Sequence, residues 1–180
     1  MTLTLIGKNI KIRNFDTSDQ EQFFELVKDK DNHDLAGLEY TEDVDFGRNL
    51  LDMYQRRDGA YAISLVDTDK MIGIVELNKR GESAELLPTR EIGFVINRSF
   101  RQQGYAKEAV KLLIDHGFND LKLTEIWAST EKANLVPQKL LESLQFKYIY
   151  EAEQTLPYTG QSNPVKYFLL KNDSLLVKNS

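Results

Sequence analysis

The stretch T-R-E-I-G-F-V-I-N-R-S-F-R-Q-Q-G-Y-A-K-E, residues 89–108, leaves the chain few folds to choose from. Residues 91–96 alternate, with Glu91, Gly93 and Val95 on one face and Ile92, Phe94 and Ile96 on the other. Their β-branched and aromatic side chains favour a strand. Residues 97–100 break that alternation. From Gln103 onward Ala106, Ala109, Val110, Leu113 and Gly117 fall at helical spacing, so a helix lays one stripe on a core. The connection between strand and helix reads R-x-x-G-x-A.

A glycine at the mouth of a helix lets the backbone approach a ligand closely, and the small Ala106 leaves room beside it. The amides of Gln103, Gly104, Tyr105 and Ala106 then face outward at the positive end of the helix dipole. That arrangement suits a phosphate or pyrophosphate, to which Arg101 can add a charge-assisted bond. The same residues also fit an ordinary strand-to-helix connection with a convenient glycine.

The chain of 180 residues, 41% of them hydrophobic, is long enough for one folded domain, expected over residues 1–171 with a polar tail over 172–180. Cysteine is absent, which excludes disulfides, a thiol nucleophile and thiolate metal sites and is compatible with a reducing cytoplasm. The first residues carry no basic segment followed by a long apolar run, and no stretch approaches the roughly 20 apolar residues of a membrane span. The expectation is a soluble, cytoplasmic protein with no membrane partner. A net charge of -5 argues against a nucleic-acid binder.

Residues 3–13 read as a first strand. Thr17 and Gln20 suggest a capping box for a helix carrying Phe23, Leu26, Val27 and Lys30, and Thr41 suggests the cap of a second helix reaching Arg57. The looser stretch between them holds Asp34, Glu39, Glu42, Asp43 and Asp45, which read either as a solvated acidic loop or as carboxylates that attract a cationic amine. Residues 61–66 and 71–78 form a meander hairpin across D-T-D-K. Residues 123–129 supply a further strand with Trp127 as a core aromatic, Asn134 caps a helix with Val136, Leu140 and Leu144 on one face, and residues 146–151 and 165–170 close the sheet. The class is mixed α/β, one sheet with helices packed on it.

The runs E-I-G-F-V-I-N, F-R-Q-Q-G-Y-A-K-E-A-V and A-S-T-E-K-A-N-L-V-P-Q-K-L-L-E-S-L-Q-F resemble the GNAT superfamily of N-acetyltransferases, and within it the branch of ribosomal-protein N-terminal acetyltransferases. The resemblance spans most of the chain and is most specific over residues 91–146. It implies a single GNAT-like domain with a central, mostly antiparallel sheet flanked by helices. Acetyl-CoA would be the co-substrate, with no metal, and the acceptor a primary amine on a protein N-terminus, a polyamine or another small molecule. Arg101, Gln102, Gln103, Gly104, Tyr105 and Ala106 would bind the pyrophosphate, the backbone of Phe94, Val95 and Ile96 would pair with the pantetheine, and Asn134 would hold that arm. A homodimer stays open.

Three departures bear on the chemistry. Pro137 stands where the family commonly has a serine, Leu141 where some members carry a tyrosine acid, and Gln145 where a glycine is usual. The general acid is therefore unassigned. A non-catalytic acyl-CoA-binding or sensing module is the alternative reading. For the base, Glu91 is the candidate, an acid inside an apolar strand, which could equally pair with Lys79, Arg80 or Arg90. His33 and His116 stand too far apart for a metal signature, and neither a P-loop nor a serine elbow is present.

Overall fold

The computed structural model describes residues 2–155 and 160–173. Among these described residues eight strands, mostly antiparallel, and five α-helices make a mixed α/β fold. The chain divides into two compact units, Met1–Asn78 with Gly93–Asp115, and Lys79–Ile92 with His116–Ser180. These boundaries fall within strands and a helix rather than in linkers, which is why composition gives no sign of them.

In the first unit, residues 3–13 form two strands rather than one, β1 (Thr4–Ile6) and β2 (Ile10–Arg13). The chain reverses at Gly7, whose amide donates to the Ile10 carbonyl at 2.9 Å. A Cβ there would stand 2.5 Å from a Glu108 carboxylate oxygen and 3.0 Å from the Ile10 carbonyl oxygen, so a side chain would displace Glu108. β2 pairs antiparallel with β3 (Ala60–Leu65), which pairs antiparallel with β4 (Met71–Lys79).

Helix α1 (Gln20–Val27) follows a 3-10 turn over Thr17–Asp19, and the capping box is built by Asp16 and Asp19 instead of Thr17 and Gln20. Helix α3 (Val44–Arg56) is likewise capped by Asp43, whose carboxylate accepts from the Phe46 amide at 2.8 Å, while the Thr41 hydroxyl accepts from the Asp43 amide. A carboxylate out-competes a hydroxyl here because it also meets the positive end of the dipole. Between them lies α2 (Lys30–Ala36), in a stretch expected to be loop; it buries only Asn32, so no apolar period betrays it. Phe15, Phe23 and Tyr54 meet edge to face with centroids 5.2 to 6.1 Å apart, over Ala60, Ala62, Met71 and Ile74 of β3 and β4.

β5 (Thr89–Ile96) runs through both units and is followed by α4 (Tyr105–Asn119). In the second unit residues 89–92 pair parallel with β6 (Glu125–Glu131), β6 pairs antiparallel with β8 (Ser162–Lys171), and β7 (Lys147–Thr155) pairs with β8 at the edge. The alternation of β6 buries Ile126, Ala128 and Thr130, which puts Trp127 on the half-exposed face and not in the core. Arg80 lies over its ring at 4.4 Å and its Nε1 donates to Glu125.

Helix α5 (Leu135–Ser143) buries Gln138 and Leu141, whereas Val136 is 76% exposed, so the expected face is rotated. The reason is polar: Gln138 Nε2 donates to the carbonyls of Glu131, Lys132 and Asn134 at 3.0 to 3.1 Å and turns that side of the helix inward. Of the residues expected in the tail, 172 and 173 are described. Asn172 is buried, with its amide on the Thr124 carbonyl and its Nδ2 on the Leu123 carbonyl. Residues 174–180 lie outside the described ones.

Candidate active site

β5 ends at Ile96, and Asn97 caps a single 3-10 turn over Arg98–Phe100 by accepting from the Ser99 amide at 2.9 Å. Gln102 and Gly104 then adopt left-handed conformations, with φ of +62° and +81°, immediately before α4 begins at Tyr105. The first amides of a helix have no carbonyl four residues behind them, so those at the start of α4 are left to other acceptors. Residues 101–104 are exposed, so this turn is open to solvent. A Cβ on Gly104 would meet nothing within 4 Å, so the glycine is there for its φ and for the space it leaves.

The turn is braced from below. The Arg101 guanidinium is spent within the protein: Nε donates to the Ile96 carbonyl at 3.0 Å and Nη2 to Asn32 Oδ1 at 2.6 Å. Asn32, 2% exposed, also donates through Nδ2 to the Leu26 carbonyl. Arg98 pairs with Asp29 and Asp31 on either side of the start of α2. One helical turn into α4, the Glu108 carboxylate accepts from the amides of Asn9 and Ile10 and from the Asn9 side chain. Burial works against that charge, but these bonds prevail and hold the Glu108 carboxyl below its ordinary value. Neither Asn32 nor Glu108 stands out in the sequence, because their partners lie 69 and about 99 residues away.

Beside β5 in the same unit is a cavity of about 130 Å³. Its polar lining comes from Glu39, Tyr54, Arg57 and Glu76, and its floor from Gly93, Phe94 and Val95. The Tyr54 hydroxyl donates to Glu39 at 2.6 Å, and Arg57 reaches Glu76 at 3.0 Å and Glu39 at 3.3 Å while lying 4.2 Å from the Tyr54 ring centre. Burial, with Glu39 beside it, pushes the Tyr54 phenol well above its usual range. Burial alone would lower Arg57, but Tyr54, Glu76 and Glu39 outweigh it and raise it, so both groups stay protonated. Of the expected acids only Glu39 belongs here. Glu76 was missed although it presents the same signal as Glu91, an acid inside an apolar strand.

Glu91 and Asn134 belong to the second unit. Glu91 accepts from the Ser129 hydroxyl at 2.7 Å, and its described partner is thus a neutral donor rather than Lys79, Arg80 or Arg90. Burial, with the Glu91 charge, raises the phenol of Tyr167. Asn134 occupies the N-cap position of α5 but makes no side-chain capping bond, so its amide is not spent on the helix. Pro137 lies in the first turn, where it forfeits no helical bond, and Leu141 is wholly buried.

Among the described residues no three His, Asp or Glu side chains stand where they could hold a metal ion, and no helix is long and apolar enough to cross a membrane. His33 Nδ1 meets the Leu38 carbonyl and His116 Nδ1 the Asp120 carboxylate, both at 2.7 Å.

Known proteins share this architecture. A relative named uncharacterized N-acetyltransferase p20, from Bacillus licheniformis, is 28% identical over 149 residues, covering 80% of this chain and 82% of its own. A GNAT-family acetyltransferase from Bacillus anthracis superposes with a TM-score of 0.82 at 20% identity, over 94% of this chain and 98% of that one. The ribosomal L7/L12 alpha-N-protein acetyltransferase RimL, solved in complex with coenzyme A, does so with a TM-score of 0.77 at 14% identity, over 96% and 99%. At these identities the structures speak for the fold. The model of the acetyltransferase (GNAT) domain matches residues 9–147, a span that takes in β2 through α5, the open turn and the cavity. The chain therefore belongs to the GNAT acetyltransferase family and is an acetyltransferase.

Proposed function

We propose that this enzyme acetylates a primary amine, with acetyl-CoA as donor, its pyrophosphate held by the amides of Gln102, Gln103, Gly104, Tyr105 and Ala106. The observation that carries this is the pair of left-handed residues, Gln102 and Gly104, in an exposed turn at the start of a 15-residue helix. These groups suit a diphosphate: they are donors at the positive end of a helix, and no side chain fills the space over Gly104. When bound, acetyl-CoA would supply an acetyl thioester, whose acetyl group passes to the amine nitrogen as the C–S bond breaks and CoA leaves as its thiol.

The remaining roles fall to this chain's own side chains. The backbone of Phe94, Val95 and Ile96 pairs with the pantetheine and Asn134, free of capping duty, holds the same arm. Arg101 serves the site through its backbone and as a brace, because its guanidinium is committed to Ile96 and Asn32. Glu91, bonded to the neutral Ser129 hydroxyl, takes the proton of the attacking amine directly or through a water. Most of the rate comes from holding the two reactants in line.

Thermal unfolding with and without acetyl-CoA, with ATP as the control anion, tests the cradle. At ~100 times its dissociation constant a ligand adds about 2.7 kcal/mol, roughly 5–10 °C for a chain of this size. A shift seen with acetyl-CoA, absent with ATP and weakened by Gly104→Glu, is expected; no shift at millimolar acetyl-CoA would overturn the assignment. For turnover, CoA release with an amine acceptor should fall on the order of 100-fold in Glu91→Gln. Binding without turnover of any amine would instead favour an acyl-CoA sensor.

A further inference from the structure

The cavity of the first unit is not used by the donor cradle, and its chemistry selects a substrate. We infer that it takes the cationic head of the acceptor, an unbranched primary ammonium with no carboxylate near it, and that Glu76 is the residue that holds it. This rests on the acetyltransferase reading above.

Charge comes first. Glu39 and Glu76 bring two negative charges, Arg57 brings one positive charge, and the Tyr54 phenol stays neutral. One negative charge is left over, which a single ammonium balances. Glu39 is already met by Tyr54 and Arg57. On Glu76, the described bond from Arg57 goes to Oε1.

The second oxygen, Oε2, borders the open space over Gly93. Among the described residues, and leaving out Gly93 and its two chain neighbours, it is the one atom within 4 Å of where a Gly93 Cβ would be, at 3.8 Å. A side chain at that position would fill the space, and the glycine leaves it empty. The opening lies on β5 beside Phe94 and Val95, the backbone assigned above to the donor's arm, so an amine head there sits next to the acyl donor.

Size and polarity narrow the ligand. A cavity of about 130 Å³ holds only a few waters' worth of matter, enough for an ammonium and the methylenes behind it. Leu38 and Ile74, both buried, give those methylenes apolar walls. A short amino acid bound by its amine would bring its own carboxylate, within a few carbons, toward Glu39 and Glu76, a like-charge repulsion in a partly dehydrated site.

The test uses n-butylamine and γ-aminobutyrate, which share a four-carbon chain and differ in the carboxylate. Ligand-observed NMR titration of the full chain, with acetyl-CoA omitted, reads amine binding without turnover. n-Butylammonium should bind at least about tenfold tighter than γ-aminobutyrate, and Glu76→Gln should abolish the preference, since it keeps the shape and removes the charge. Acetyl-CoA should stabilise Glu76→Gln as much as the parent protein. Gly93→Ala is the second variant: its methyl enters the space at ordinary van der Waals distance without striking backbone, and it should weaken n-butylammonium binding in a folded protein.

Equal binding of the two amines, or an unchanged preference in Glu76→Gln, would overturn the inference. Because the titration needs no donor, loss of acetyl-CoA stabilisation would count against the cradle alone, and the amine result would stand or fall separately.

Discussion

Asn32→Ala removes the post that braces the turn before α4. The side chain is 2% exposed and makes two bonds, accepting from Arg101 Nη2 at 2.6 Å and donating to the Leu26 carbonyl at 3.0 Å. A hydrogen bond to a charged group contributes about 1.5–3 kcal/mol, and a buried carbonyl left without a donor costs about 1–3 kcal/mol. Water reaching Arg101 recovers part of the first, so the expected loss is about 2–4 kcal/mol, read as a lower midpoint in urea unfolding at unchanged slope. Asn32→Asp keeps an acceptor for Arg101 but sets a carboxylate oxygen against the Leu26 carbonyl, so it should recover only part of the loss. Acetyl-CoA should also stabilise Asn32→Ala less than the parent protein, because the turn it braces is looser. A cost below ~1 kcal/mol would refute the reasoning, since it would mean that neither bond holds the turn in place.

Four further variants have outcomes set by the geometry. Gly59→Ala combines a φ of +84° with a Cβ placed 2.5 Å from the Leu77 carbonyl oxygen, so it should cost about 3 kcal/mol in calorimetry. By contrast Gly37→Ala, also left-handed but with open space around it, should cost only about 1–2 kcal/mol. Burial tends to raise the Asp69 carboxyl, but bonds from Arg13, Lys11 and Ser64 prevail and hold it at about 2. A depressed folded value means stability that is present above the unfolded value near 4 and lost as pH falls toward 2. Asp69 is half exposed, so screening leaves about 1 kcal/mol, measurable as an acid-dependent gap between the parent protein and Asp69→Asn in urea. Glu108→Ala leaves the Asn9 and Ile10 amides without their acceptor and should lower stability by about 1–2 kcal/mol, with β1 and β2 losing hydrogen-exchange protection first.

What could be read without coordinates is what depends on neighbours in sequence. The alternation of residues 91–96, the glycine of R-x-x-G-x-A and the helical stripe after it are local, so strand, turn and helix were legible in that order, although the strand begins at Thr89 rather than Glu91 and the helix at Tyr105 rather than Gln103. Element order and class were legible for the same reason, since apolar periods reveal which segments must share a core. Helix starts were misplaced onto Thr17 and Thr41 because neighbouring aspartates cap better than hydroxyls, and α2 went unseen because its one buried side chain is an asparagine.

Tertiary structure alone decided which side chains meet. Trp127 left the core because β6 presents it to the half-exposed face, and α5 turned because Gln138 found three carbonyls. The guanidinium of Arg101, which by its position belongs to the anion, was claimed by an asparagine 69 residues away. The acid cavity joins Glu39, Tyr54, Arg57 and Glu76, from α3 and β4 and the loops beside α2 and α3. A strand or a turn is encoded by adjacent residues and their periodicity, whereas the charge of a cavity is a sum over groups that only the folded chain brings within 4 Å of one another.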